Sequence, residues 1–161
     1  MKVVLDSNIY VSALAMPGGV ADRAIRTTTE AAVVLFISRP ILEEVLGVMS
    51  RKFARSPEEL ARTALYLASL AEIVTPRRRV DVLADVPDNR VLECASAADA
   101  DVIVTGDRQM LALGTWEGIE ILSLRQFIDR LGSGRAVHQS RARYRVPTRQ
   151  AHLRSRLRVP A

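Results

Sequence analysis

The chain holds 161 residues, 48% apolar and 25% charged with a net charge of +5, enough for one ordinary domain with its own core. Its single cysteine, Cys94, rules out an internal disulfide and fits a reducing cytoplasm, and no cysteine or histidine cluster has zinc-site spacing. No basic n-region precedes an apolar run and no apolar segment is long enough to cross a bilayer, so neither a signal peptide nor a membrane span is expected.

The chain opens on a short apolar strand, Val3–Leu5, that runs into Asp6. Asn8 to Ala15 reads as a helix stopped by the turn "MPGG" at 16–19, and a second helix follows over Val20–Thr29. "AVVLFIS" at 32–38 is the next strand. Ser38 is placed to cap a helix over about 39–51, with Pro40 in its first turn. "SPEE" at 56–59 has the form of a capping box, with Ser56 at the cap, Pro57 at N1 and Glu59 at N3; that helix is expected to reach about Ala71. A short strand over 72–76 leads into a polar connection over 77–89. Then come a helix over 89–98, a strand over 102–105, a short helix over 108–113, a strand over 119–122 and a helix over 124–131. "GSG" at 132–134 ends the domain.

Strands alternate with helices, and several strands are continuously apolar, the pattern of a parallel sheet covered on both faces. The expected fold is α/β: a three-layer α/β/α sandwich with a mostly parallel central sheet, formed by residues 1–131. The remainder, 132–161, reads as an arginine-rich flexible tail. Residues 1–134 carry 15 Lys+Arg against 18 Asp+Glu, a net −3, whereas 135–161 carry eight arginines and no acid. Such a tail suits nucleic acid, an acidic protein or a membrane surface, or it is simply a solvated end.

In a parallel α/β sheet the functional crevice lies at the carboxyl ends of the strands. Asp6 and Asp107, the latter in "VIVTGD", both fall there. Asp88 shares a helix face with Val91, Leu92 and Ala95, which aims it over the sheet, while Asn89 points off that face. Glu43 and Glu44 flank the apolar stripe of the 39–51 helix on opposite sides; angle barely separates them, and Glu44 is slightly better placed. Taken singly, Asp6, Asp88 and Asp107 also read as helix N-caps. Asp99 and Asp101 lie in the turn at the opposite sheet edge. If four acids do converge, close pairs at ~4 Å and an effective dielectric of ~20 repel by about 4 kcal/mol. The only lysines, Lys2 and Lys52, are not near. Either some acids are protonated or a cation fills the pocket, and all-oxygen ligation suits Mg²⁺ or Mn²⁺.

"VVLDSNIYVSAL", "SRPILEEVLGVMSRKF" and "DNRVLECASAADADVIVTGDRQML" together resemble the PIN-domain ribonucleases, most closely the branch of toxin–antitoxin toxins related to VapC, over about residues 2–130. The resemblance implies an acidic pocket that binds Mg²⁺ or Mn²⁺ and hydrolyses RNA. It places the four functional acids on Asp6, Glu44, Asp88 and Asp107, with Asn8 and Thr105 as supporting polar residues. Relatives often carry another acid where Asn89 stands. An antitoxin protein is the implied partner, no membrane is involved, and a homodimer is left open. The arginine-rich tail is not part of the family pattern; on composition alone, Arg141, Arg143, Tyr144, Arg145 and Arg149 are candidates for RNA contact.

Other readings are a housekeeping PIN nuclease in RNA processing and a receiver-like regulatory domain. The latter requires a lysine at a strand end, which the chain lacks. A "D-x-D" phosphatase fails because Asp6 is followed by Ser7 and Asn8. A catalytically dead PIN domain is disfavoured by the four intact acids.

Overall fold

The computed structural model describes residues 1–143, with side chains described through Ser133. The elements run β1 (Lys2–Leu5), α1 (Ser7–Ala15), α2 (Val20–Glu30), β2 (Val34–Ser38), α3 (Arg39–Phe53), α4 (Pro57–Leu70), β3 (Ala71–Val74), α5 (Val86–Ala98), β4 (Val102–Val104), α6 (Arg108–Leu113), β5 (Thr115–Trp116), β6 (Ile119–Leu122) and α7 (Leu124–Arg143). One sheet has the order β3-β2-β1-β4-β6-β5, parallel except for the β5–β6 hairpin. The three-layer α/β/α sandwich expected from the sequence is the fold observed.

β1 is central, pairing β2 on one side and β4 on the other, with Val4 between Phe36 and Ile103. Successive strand residues point to opposite faces. Val3, Val4 and Leu5 are all nearly inaccessible, so both faces of β1 are covered. α5 lies across β1, β2, β3 and β4. Its apolar residues Val91, Leu92 and Ala95 are fully buried. Among the described residues no helix is long and apolar enough to cross a membrane.

Several local expectations change. The capping box forms as read: Ser56 accepts from the Glu59 amide, and Glu59 accepts from the Ser56 amide. Ser38 stands at the N-cap of α3, but its buried hydroxyl makes no cap bond. α5 begins three residues earlier than expected. Its N-cap is Asp85, Pro87 sits in the first turn, and Asp88 is inside the helix rather than capping it. Asn89, expected off the apolar face, is nonetheless buried: it is 2% exposed and bonds to the preceding loop. β5 was not foreseen. It pairs with β6 across Glu117–Gly118, both at positive φ, the conformation a tight two-residue hairpin requires. α7 continues through Gly132–Ser133–Gly134 to Arg143. Two glycines cost a helix about 1 kcal/mol each without forbidding it, and the flanking alanine, glutamine and arginines favour it.

Candidate active site

Two strand ends set the site. Leu5 is in register with Val104, so Asp6 and Thr105 leave the sheet side by side. The pairing extends one step beyond the strands: the Asp6 amide donates to the Val104 carbonyl at 2.9 Å and the Thr105 amide to the Leu122 carbonyl at 3.0 Å. Asp6 is 3% exposed. Its carboxylate accepts from Thr105 Oγ1 at 2.6 Å, Asn8 Nδ2 at 2.9 Å and Ser7 Oγ at 3.2 Å. These bonds do not cap α1; they fix the acid above the sheet. Burial raises the Asp6 pKa, and the hydrogen bonds oppose that rise.

Thr105 and Asn8 tie the two strand ends together. Thr105 Oγ1 also accepts from the Asp107 amide at 2.9 Å, and Asn8 Oδ1 accepts from the Gly106 amide at 3.3 Å. Asp107 does cap α6: its Oδ1 accepts from the amides of Gln109 and Met110. The capping reading therefore holds for Asp107 and fails for Asp6 and Asp88.

The glutamate pair separates clearly. Glu43 pairs with Arg39 at 2.6 Å on the outer face of α3. Glu44 is half-buried on the inner side, where burial raises its pKa, a Ser7 hydrogen bond lowers it, and the charges of Asp6 and Asp85 raise it. Asp88 is pushed up to about 7, first by burial and then by the charges of Asp107, Asp6, Asp85 and Glu44. Asp6, Glu44, Asp88 and Asp107 thus act on one another electrostatically although they come from four separate elements. Asp85 joins them and was read from sequence only as part of a polar connection. The available signal was its place three residues before Asp88 with Pro87 between, a helix start one turn earlier than the one chosen.

Two other polar groups have structural duties. Asp22 is held by the Gly18 amide at 2.8 Å and by Arg26, bracing the turn after α1. Cys94 is buried beside Ser38, and burial pushes its thiol up to about 12, which leaves no nucleophilic thiolate at neutral pH. Arg141 and Arg143 lie in α7, where only the backbone is described; Tyr144, Arg145 and Arg149 lie outside the described residues.

Among the described residues, no three histidine, cysteine, aspartate or glutamate side chains stand as a ready-made metal cage. The donor chemistry nevertheless fits a hard divalent cation. Every acidic donor is a carboxylate, hydroxyl and amide oxygens stand beside them, and Asp88 is raised by burial and then by four negative neighbours. A cation would relieve that repulsion.

A family model described as "PIN domain" matches residues 2–109, a span that contains all four acids. An uncharacterized protein from Methanocaldococcus jannaschii is 28% identical over 117 residues, covering 70% of this chain and 75% of the relative. Two solved structures share the fold. One is VapBC2 from Rickettsia felis bound to a DNA fragment from its promoter, with a TM-score of 0.57 and 16% identity, covering 76% of this chain and 98% of that one. The other is VapBC-1 from nontypeable Haemophilus influenzae, with a TM-score of 0.58 and 13% identity, covering 78% and 99%.

Proposed function

This chain belongs to the PIN-domain family, and from that premise we propose that it is a metal-dependent endoribonuclease that acts as the toxin of a toxin–antitoxin pair. The observation that carries the nuclease reading is the pair of strand-end acids, Asp6 and Asp107, tied side by side through the Thr105 hydroxyl, with Glu44 and Asp88 close enough to feel their charge. A pocket with that much negative charge would favour a divalent cation over protons. Asp6, Glu44, Asp88 and Asp107 would hold Mg²⁺ or Mn²⁺. When bound, the ion supplies charge stabilisation and water activation for phosphodiester hydrolysis.

The chain's own residues supply position. Asp6 is locked by three side-chain donors. Thr105 fixes its spacing from Asp107, and Asn8 holds the 105–107 turn against α1. Glu44 and Asp88 approach from helices that start at the same sheet edge. Asp85, exposed at the rim, adds negative charge beside them. The toxin reading, with an antitoxin protein as partner, draws support from the fold shared with two VapBC complexes. The boundary expected at 131 falls inside α7, which runs from Leu124 to Arg143, so the basic segment begins within the last helix.

The decisive experiment is cleavage of an RNA panel with Mg²⁺, with Mn²⁺ and with chelator, for the wild type, Asp6→Asn and Asp107→Asn. Wild-type cleavage only with metal, lost in either variant, is the expected result; cleavage persisting in EDTA overturns the metal mechanism. Growth arrest on expression of the wild type but not of Asp6→Asn tests the toxin role. Equal growth would leave the housekeeping nuclease in its place.

A further inference from the structure

The acidic pocket explains how a cation is held and leaves unexplained how a polyanion is brought to it. Residues 1–134 carry a net charge of −3, so phosphate is repelled unless part of the surface is locally basic. One part is. Two adjoining hollows of about 490 and 380 Å³ lie between the end of β3, the loop after it and α5. They share Val74, Thr75, Arg77, Arg78 and Glu93, and the second is also lined by Arg39 and Arg79. Four arginines thus line the hollows with Glu93 as the single lining acid; Arg39 is paired with Glu43 and Arg78 with Glu117, which leaves Arg77 and Arg79 as the least neutralised.

The arginines stand on a braced support. The Val80 amide donates to Glu93 Oε1 at 2.8 Å, and Arg90 contacts both Glu93 and the Val80 carbonyl. Arg78 pairs with Glu117 and lies over the Trp116 ring at 5.3 Å. Arg77 and Arg79 remain exposed. Among the described residues Arg77 has no ion-pair or hydrogen-bond partner, and Arg79 has only a 3.8 Å approach to Glu93. Glu93 is already engaged by Val80 and Arg90, so it neutralises Arg79 little. Arg39 opens α3 and pairs with Glu43 on its outer face, and Glu44 follows on the inner side five residues on, a rise of ~7.5 Å along the same helix.

Resting on the nuclease reading above, we propose that this groove is a track for the RNA backbone, in which Arg77 and Arg79 hold phosphates of the bound strand. Guanidinium groups suit the task because each can grip a phosphate through two parallel N–H bonds. The wall of Ile73, Val74 and Pro76 offers apolar surface to sugars and bases, and Ile73 is 58% exposed. An ordered loop places the arginines in advance, so little of the binding free energy goes into ordering them.

The test uses the full chain carrying Asp6→Asn, so that RNA is bound and not cut, and measures affinity for a single-stranded RNA against salt. The groove pair Arg77→Gln/Arg79→Gln is compared with a control pair of equal charge change, Arg62→Gln/Arg125→Gln, on α4 and α7. Losing two phosphate contacts should flatten the slope of log affinity against log salt by about 1.4. The groove pair should also bind about tenfold more weakly at 0.15 M salt, while the control pair stays near the parent. Identical behaviour of the two pairs overturns the groove. Cleavage by the otherwise wild-type chain, run in parallel with metal, separates the two claims. If that chain cuts RNA and the pairs behave alike, only the groove fails; if it neither binds nor cuts RNA, the nuclease reading fails with it.

Discussion

Thr105 serves two acids with one hydroxyl, donating to Asp6 and accepting from the Asp107 amide. Thr105→Val keeps the shape and removes both bonds. It should cost about 1–3 kcal/mol of stability, because a buried carboxylate loses its closest donor, and should lower metal-dependent cleavage at least tenfold. Thr105→Ser should restore most of both, as read by urea unfolding and by cleavage rate. Asp88 gives a pH signature. In the folded, metal-free chain it keeps its proton up to about pH 7, whereas an unfolded aspartate releases it near 3.8. Between those values the folded state binds more protons, so stability falls as pH rises from about 4 to 7 and levels off above. Thermal unfolding in chelator should show a loss of about 1–3 kcal/mol between pH 5 and 7.5. Asp88→Asn should flatten that loss, and an unchanged slope would show that Asp88 is not the group responsible. Asp6 and Asp107 were legible as site candidates because each ends a continuously apolar strand. The Glu43/Glu44 choice was not legible from helix angle. The overlooked signal was Arg39, four residues before Glu43, which draws that glutamate outward as an i,i+4 pair.

At the level of elements, the loop over 75–85 was the least legible part of the chain. It has no helical or strand period, and its shape is dictated by side chains of the helix that follows it. Asn89 accepts from the Val82 and Leu83 amides and donates to the Leu83 and Asp85 carbonyls, and Glu93 accepts from the Val80 amide. The family resemblance suggested an acid in place of Asn89; the structure gives the amide a clamping role that a carboxylate, lacking donors, performs only by half. Asn89→Ala strands these backbone groups and should cost about 2–4 kcal/mol in urea unfolding. Asn89→Asp should fall between the wild type and Asn89→Ala. If both variants unfold like the wild type, the clamp is not what holds the loop. The β5–β6 hairpin escaped notice because Thr115–Trp116 is too short to show alternation. Its Glu117–Gly118 turn, an acidic residue followed by glycine, was the readable hint. The extension of α7 is hard to read from sequence because two glycines signal a stop while their neighbours favour helix.

Over the whole molecule, charge is divided between a mildly acidic folded part and eight arginines after Gly134. The groove near β3 and the basic C-terminal segment would both attract phosphate, and salt dependence can apportion them. Stopping the chain after Gly134 should flatten the salt dependence of RNA binding more than the groove pair does, because it removes more arginines. Metal-dependent cleavage at high enzyme concentration should persist. Equal slopes for the two lengths would assign those arginines to a task other than holding RNA. The architecture itself was readable because parallel, doubly covered strands leave a strong apolar signature. The convergence of the acids followed from strand order, which a sequence shows only indirectly.

That strand order also governs timing during synthesis. Asp6 leaves the ribosome early, but Thr105 and Asp107, which complete its surroundings, are made about a hundred residues later, and β1 lacks its β4 neighbour until then. Contacts so distant in sequence are slow to close. A nascent chain therefore carries an unfinished pocket through most of translation, and the surroundings of Asp6 are completed only when almost the entire domain has emerged.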